Sequence, residues 1–223
     1  MKNIYYLKLI YASILITLLY FVEQFWVDTF AWKIIVKAFL LLIIPWLLLK
    51  RRGISPIPFF SKSKTDVKRF WISIGLGFAI FALILAIYII LINTIDTTSI
   101  LGTLESTLGV SAANFWLVAI YILIGNSLAE EFFFRGYLVL AEKKSKLVEV
   151  FSALLFAIYH VTILIGWFSW SIFVLVFFGL FVGGLLFSWV NRKGKSIYNG
   201  WIMHMGADLS IVLIGLWLFY WPK

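Results

Sequence analysis

A chain of 223 residues that is 63% hydrophobic and only 13% charged cannot be a water-soluble globular domain, because it has too little polar surface to cover its apolar content. With no cysteine, it has neither a disulfide framework nor a thiolate nucleophile or ligand. A net charge of +9 is a common mark of nucleic-acid binders, but here the bases cluster in short turns between apolar runs, so membrane orientation explains them and no nucleic-acid partner is expected.

The first apolar run, 4–22, begins after Lys2, and no small-residue cleavage site follows it; a retained first helix is expected rather than a cleaved leader. Residues 23–29 carry Glu23 and Asp28 and no base. The second run, 30–49, contains Lys33 and Lys37 on one helical face, where they are expected to snorkel or to face a wet cavity. Residues 50–69 are strongly basic, and Pro56, Pro58, Phe59 and Phe60 predict a loop resting at the interface. A third run, 70–92, precedes a Ser/Thr-rich stretch, 93–111, that reads as an external loop or a short re-entrant cap. Runs at 112–141, 147–165, 171–190 and 197–220 follow. Between them lie the basic turn of Lys143, Lys144 and Lys146, the uncharged residues 166–170, and the basic turn of Arg192, Lys193 and Lys195. Gly179 and Gly183 are four apart and predict close helix packing.

Runs of about 20 apolar residues match a hydrocarbon layer ~30 Å thick. The expected fold is therefore all-α, a polytopic membrane helix bundle with about seven transmembrane helices (six to eight), forming a single integral domain over 1–223. Bases fill alternate connections, which places the N-terminus in the cytoplasm and the C-terminus outside. No internal repeat is visible, which counts against an inverted-repeat transporter.

Ionisable residues inside apolar runs are costly and rarely idle. Glu130, Glu131 and Arg135 lie in the fourth run, His160 in the fifth, and His204 and Asp208 in the seventh. At ~1.5 Å rise per residue, Glu130 is roughly 16 Å from the cytoplasmic end of its helix, His160 roughly 20 Å, and His204 and Asp208 roughly 12 and 18 Å. Three helices thus bring their polar side chains to one level. Glu131 and Arg135 are i,i+4, as are His204 and Asp208, so each pair shares a face. Asn126 stands four residues before Glu130, within hydrogen-bonding reach. Each group taken alone reads as a helix-bridging or ion-paired structural residue; six at one depth read as a site. A carboxylate and two imidazoles supply a general base and fixed donors, or the three ligands of an open zinc site.

Glu130-Glu131-x-x-x-Arg135-Gly136, Phe156-x-x-x-His160 and His204-x-x-x-Asp208 together resemble the three-part signature of the CPBP intramembrane proteases. That family groups type II CAAX prenyl endopeptidases with bacteriocin-processing and bacteriocin-immunity proteins. The resemblance covers a catalytic core over roughly 112–215, and Asp208 stands where Asn is frequent. It implies endopeptidase activity on a membrane-associated peptide or protein within the lipid bilayer. Glu130 would activate a water that His160 helps to hold, with His204 and Asp208 stabilising the oxyanion. The family is described both as metal-free and as zinc-dependent, so Glu130, His160 and His204 stay open as zinc ligands. Composition points to a bacterial cytoplasmic membrane and to peptide processing, export or bacteriocin immunity. The alternative is a non-catalytic immunity or scaffold protein.

Overall fold

The computed structural model describes residues 2–25, 30–61, 67–164 and 167–221. Asp28, Lys62, Lys64 and the end of the expected fifth run at 165 lie outside them. Every regular element among the described residues is helical. Lipid requires this, since hydrocarbon offers no partner to free backbone N–H and C=O groups. The helices are α1 (Lys2–Phe25), α2 (Phe30–Arg51), α3 (Val67–Thr94), α4 (Thr97–Ser106), α5 (Phe115–Leu140), α6 (Lys146–Ile163), α7 (Trp170–Gly194) and α8 (Tyr198–Tyr220). Six of them, all but α4 and α6, are long and apolar enough to cross a membrane. The expected fifth span is α6, an 18-residue helix packed against α1, α5 and α7. The 93–111 stretch contains α4, capped by Asp96, whose carboxylate accepts from the Ser99 backbone N–H at 3.0 Å.

α5 is the centre of the bundle. Half of its apolar window is buried, against 6% for α3, which lies outside α8 and shows Trp71, Phe78, Ile89 and Ile90 to lipid. Helices α1, α2, α6, α7 and α8 provide the packing around α5 and one another. Lipid tails are as apolar as the helix faces, so close contact between small residues, rather than exclusion of water, holds such helices together. A Cβ on Gly206 would fall 2.5 Å from the Gly77 carbonyl oxygen, so only glycine lets α8 approach α3 this closely. The close packing expected at Gly179 and Gly183 is not found, because both face open space. Gly184, one position on, is the residue that packs, with its Cβ direction 3.0 Å from Ala153 on α6.

In α2, Pro45 has no N–H and its ring would crowd the carbonyl four residues back. The preceding turn widens to i→i+5 over Phe39–Ile43, with Ile44 N donating to Phe39 O, and the helix continues. α7 ends on Lys195 in the left-handed conformation (φ 53°), which allows a turn of three residues before α8.

The polar residues at the basic end are tied together. Lys8 Nζ and Arg52 Nη1 meet the same oxygen of Glu142 at 2.9 and 2.7 Å, and Arg192 pairs with Glu149 while donating to the Val139 carbonyl at 3.0 Å. The Pro56–Phe60 segment packs on the bundle instead of merely resting at its edge. Phe60 stacks on Phe132 with centroids 5.2 Å apart, and the Phe59 carbonyl accepts from Ile197 N and Ser196 Oγ. Nor do Lys33 and Lys37 snorkel or face a wet cavity. Both turn inward to Glu23 on α1, where one carboxylate costs less than two unpaired ammonium groups in lipid.

Candidate active site

Around the two glutamates, α5 departs from regular α geometry. Ser127–Glu131 is one ordinary turn between two widened i→i+5 stretches, Tyr121–Asn126 and Phe132–Leu140. Widened turns are rare in helices and frequently fall at functional sites. The two glutamates are successive residues, about 100° apart around the helix, so they point to different neighbours.

Glu131 points into the protein. Its Oε1 pairs with Arg135 Nη1 at 2.9 Å, and its Oε2 accepts from Asn191 Nδ2 at 2.7 Å. Both charged side chains are fully buried. The Arg135 guanidinium lies 4.2 Å from the Phe156 ring centroid and 5.1 Å from that of Phe187, and it donates to the Gly184 carbonyl at 3.3 Å. Aromatic faces stabilise a desolvated cation in this way. Asn191 also accepts from Gly200 N at 2.6 Å, which ties α7 to the first turn of α8. Gly200 leaves the space the carboxylate needs, because a Cβ there would fall 2.5 Å from Glu131 Oε2.

Glu130 points to the histidines. Its Oε1 accepts from Asn126 Nδ2 at 2.6 Å. Its Oε2 lies 3.3 Å from His160 Nε2 and 3.6 Å from His204 Nε2. His160 Nδ1 is 2.8 Å from the Phe156 carbonyl, which can only accept, so Nδ1 carries the hydrogen. A neutral His160 therefore turns the lone pair of Nε2 toward a carboxylate oxygen. Two acceptors in that geometry need a shared proton, or a water or cation beside them that both can hold.

His204 lies among three carboxylates. Its Nδ1 is 3.4 Å from Glu131 Oε1, and its Nε2 is 3.7 Å from Asp208 Oδ1. Glu131 thus orients the imidazole from one side, leaving Nε2 to face Glu130 and Asp208. The side chains of His160 and Asp208 keep 22% and 15% of their surface accessible, while Glu130, Glu131 and Arg135 are sealed. The open side of the site is therefore the His160–Asp208 side.

Ligand atoms of Glu130, His160 and His204 all lie within 4.8 Å of one another. Tetrahedral zinc with bonds of about 2.0–2.1 Å puts its ligand atoms about 3.3–3.4 Å apart. The glutamate–imidazole separations of 3.3 and 3.6 Å are close to this, so the donor set fits zinc in number and chemistry, and in these two spacings.

All six residues singled out by sequence thus meet at one place. Asn191 and Phe187 were not expected, nor was the position of the motif residue Phe156 over the Arg135 guanidinium. A lone Asn near a helix end and a Phe in an apolar run carry no periodic signal that would mark them.

Comparison with curated proteins and comparison with solved structures find no match. Residues 112–210 match the family model described as type II CAAX prenyl endopeptidase Rce1-like. Every polar residue of the site, from Asn126 to Asp208, lies within that segment, and the match supports a CPBP family membrane protease.

Proposed function

We propose that this protein is an intramembrane endopeptidase that hydrolyses a peptide bond of a membrane-associated peptide or protein, with Glu130 as the general base. The observation carrying this reading is Glu130 Oε2 facing two imidazole Nε2 atoms at 3.3 and 3.6 Å on the accessible side of a sealed ion-pair network. A structural carboxylate would be matched to donors as Glu131 is, whereas Glu130 has one oxygen held by Asn126 and the other turned to two imidazoles, of which His160 reaches the open side.

In the proposed reaction, a water sits beside Glu130 Oε2 and His160 Nε2 on the accessible side and is held by both. Glu130 takes one proton as the water oxygen attacks the scissile carbonyl carbon. The carbonyl oxygen gains negative charge and accepts from His204 Nε2–H, with Asp208 as the neighbouring group. Donors fixed in a low-dielectric site are the most effective stabilisers of such a charge. Glu130 then returns its proton to the leaving amide nitrogen, and the C–N bond breaks. Glu131 and Arg135 touch no substrate here; they hold His204 and the α5–α7–α8 contacts in place. If zinc is the resident cofactor, Glu130, His160 and His204 hold it, and it supplies Lewis-acid polarisation and a more acidic water.

The basic residues support an N-terminus in the cytoplasm, and composition supports a bacterial cytoplasmic membrane with a role in peptide processing, export or bacteriocin immunity. A non-catalytic immunity scaffold would have no need for Glu130. The test is a library of quenched-fluorescence apolar peptides presented to proteoliposomes of wild type and Glu130→Gln. Cleavage by wild type alone supports the reading; equal signals from both proteins, or equal silence, sink it.

A further inference from the structure

Orientation in the membrane explains why bases gather at one end of the bundle, but not why two basic turns are fastened side by side. The turn between α5 and α6 carries Lys143, Lys144 and Lys146, and the end of α7 carries Lys193 and Lys195. Arg192 ties the two turns together. Its guanidinium donates to the carbonyls of Val139 and Glu142 at 3.0 and 3.4 Å and pairs with Glu149 on α6. The five lysines flanking this tie are all exposed. Neighbouring acids are already engaged, Glu149 by Arg192 and Glu142 by both Lys8 and Arg52. Among the described residues, none of the five ammonium groups pairs with a carboxylate.

Two further observations give this patch a ligand. Lys193 Nζ lies 4.5 Å from the Trp189 ring centroid, and Trp189 is 48% exposed. Tryptophan on the outer surface of a membrane bundle sits at headgroup level, so the ammonium beside it stands at the level of the lipid phosphates. Lys195 holds φ at 53°, the one non-glycine residue with positive φ among the described residues. The left-handed position that ends a helix is usually glycine, because a Cβ there crowds the following carbonyl. The carbonyl end of α7 already has Arg192 and Lys193 in its last turn, so its dipole does not call for a third cation. Backbone strain is kept where function uses it, and here the strained residue is an exposed cation at the edge of the patch. Next to the two turns, α6 and α7 pack closely at Ala153 and Gly184 and leave Leu147, Val150 and Leu186 exposed. Acyl chains below a bound headgroup lie against these side chains.

We propose that the α5–α6 and α7–α8 turns form a binding site for an anionic phospholipid, its phosphodiester held by Lys143, Lys144, Lys146, Lys193 and Lys195. This goes beyond the endopeptidase reading and does not depend on it. Basic pockets between helices at a membrane surface take anionic headgroups in this way. The bound lipid bridges the two turns and so steadies the helices that carry Glu130, His160 and His204.

The experiment uses the full chain, delipidated in detergent, with native mass spectrometry to count bound lipid. The probes are phosphatidylglycerol and phosphatidylcholine with the same acyl chains. Phosphatidylglycerol is expected to bind about tenfold or more tighter, and the preference to weaken as salt is raised. Lys143→Gln with Lys144→Gln should lower phosphatidylglycerol affinity about fivefold for each lysine removed. Lys195→Gly should lower it about fivefold as well, while thermal stability without lipid stays unchanged or rises, because glycine takes the left-handed backbone freely. Lys195→Arg, which keeps the charge, should restore the affinity. A role for Lys195 in the fold alone would move stability and leave lipid selectivity untouched.

Equal affinity for the two lipids, or a phosphatidylglycerol preference that survives both sets of substitutions, overturns the proposal. Inorganic phosphate or a tetraglutamate peptide displacing phosphatidylglycerol at equal concentration would assign the patch to a soluble anion or an acidic protein segment and overturn the lipid assignment.

Discussion

Glu131→Gln separates the structural carboxylate from the catalytic one. The change keeps volume but removes the charge that pairs with Arg135 at 2.9 Å and one of the two acceptors shared between Arg135 and Asn191. Breaking one side of a fully buried ion pair costs about 3–5 kcal/mol, because the remaining charge is left uncompensated. Arg135 keeps the Phe156 and Phe187 faces and the Gly184 carbonyl, so the lower end, about 3 kcal/mol, is expected. That is a large share of a stability of about 5–15 kcal/mol. The assay is unfolding of detergent-purified protein in SDS mixed micelles, run as a double-mutant cycle with Arg135→Met. The double variant should be more stable than the sum of the two single losses implies, by at least about 1 kcal/mol. A loss below about 1 kcal/mol for Glu131→Gln, or strict additivity in the cycle, would refute the argument that this pair holds the site together.

Asp208→Asn keeps a polar group of the same size beside His204 Nε2 and should retain activity within about threefold, whereas Asp208→Ala removes the group that faces this oxyanion donor at 3.7 Å and should lose about 10²-fold; steady-state cleavage of one fluorogenic peptide measures both. Reporter fusions after Lys223 and within 50–69 should report opposite sides of the membrane; the same side for both would overturn the charge-based orientation. Glu142 lies beyond the end of the α5 span. Burial raises its carboxyl, but hydrogen bonds from Arg52 and Lys8 outweigh this and hold it below its ordinary value of 4.5. Its contribution to stability is therefore full above about pH 4.5 and is lost as pH falls through the lowered folded value. Glu142→Gln should flatten the acid limb of a thermal-unfolding profile, and an unchanged limb would count against that clamp.

Six of the seven expected spans, and the convergence of the six candidate residues, were legible because lipid penalises ionisable groups strongly and leaves few of them inside apolar runs. Their common depth followed from a fixed rise per residue, and the i,i+4 pairs of Glu131 with Arg135 and His204 with Asp208 from helix periodicity. What sequence did not disclose depends on how helices face one another. Gly179 and Gly183 satisfied a packing pattern, yet the helix rotation presents Gly184 to Ala153. Lys33 and Lys37 looked like snorkelling residues because their partner, Glu23, belongs to another helix. Asn191 was invisible for the same reason, since its two bonds reach residues 60 positions before it and nine after it. The widened turns of α5 also escaped periodicity, because no residue type specifies them.

The central claim is that Glu130 drives attack of water on a peptide bond, and isotope labelling tests it most directly. Wild type and Glu130→Gln, reconstituted in liposomes with a peptide that wild type cleaves, are incubated in ¹⁸O-water and the products are weighed by mass spectrometry. Wild type should place ¹⁸O in the new C-terminal carboxylate, and Glu130→Gln should form that product at least ~10²-fold more slowly, with its insertion into the membrane unchanged. Labelled product formed at equal rates by the two proteins would contradict the account.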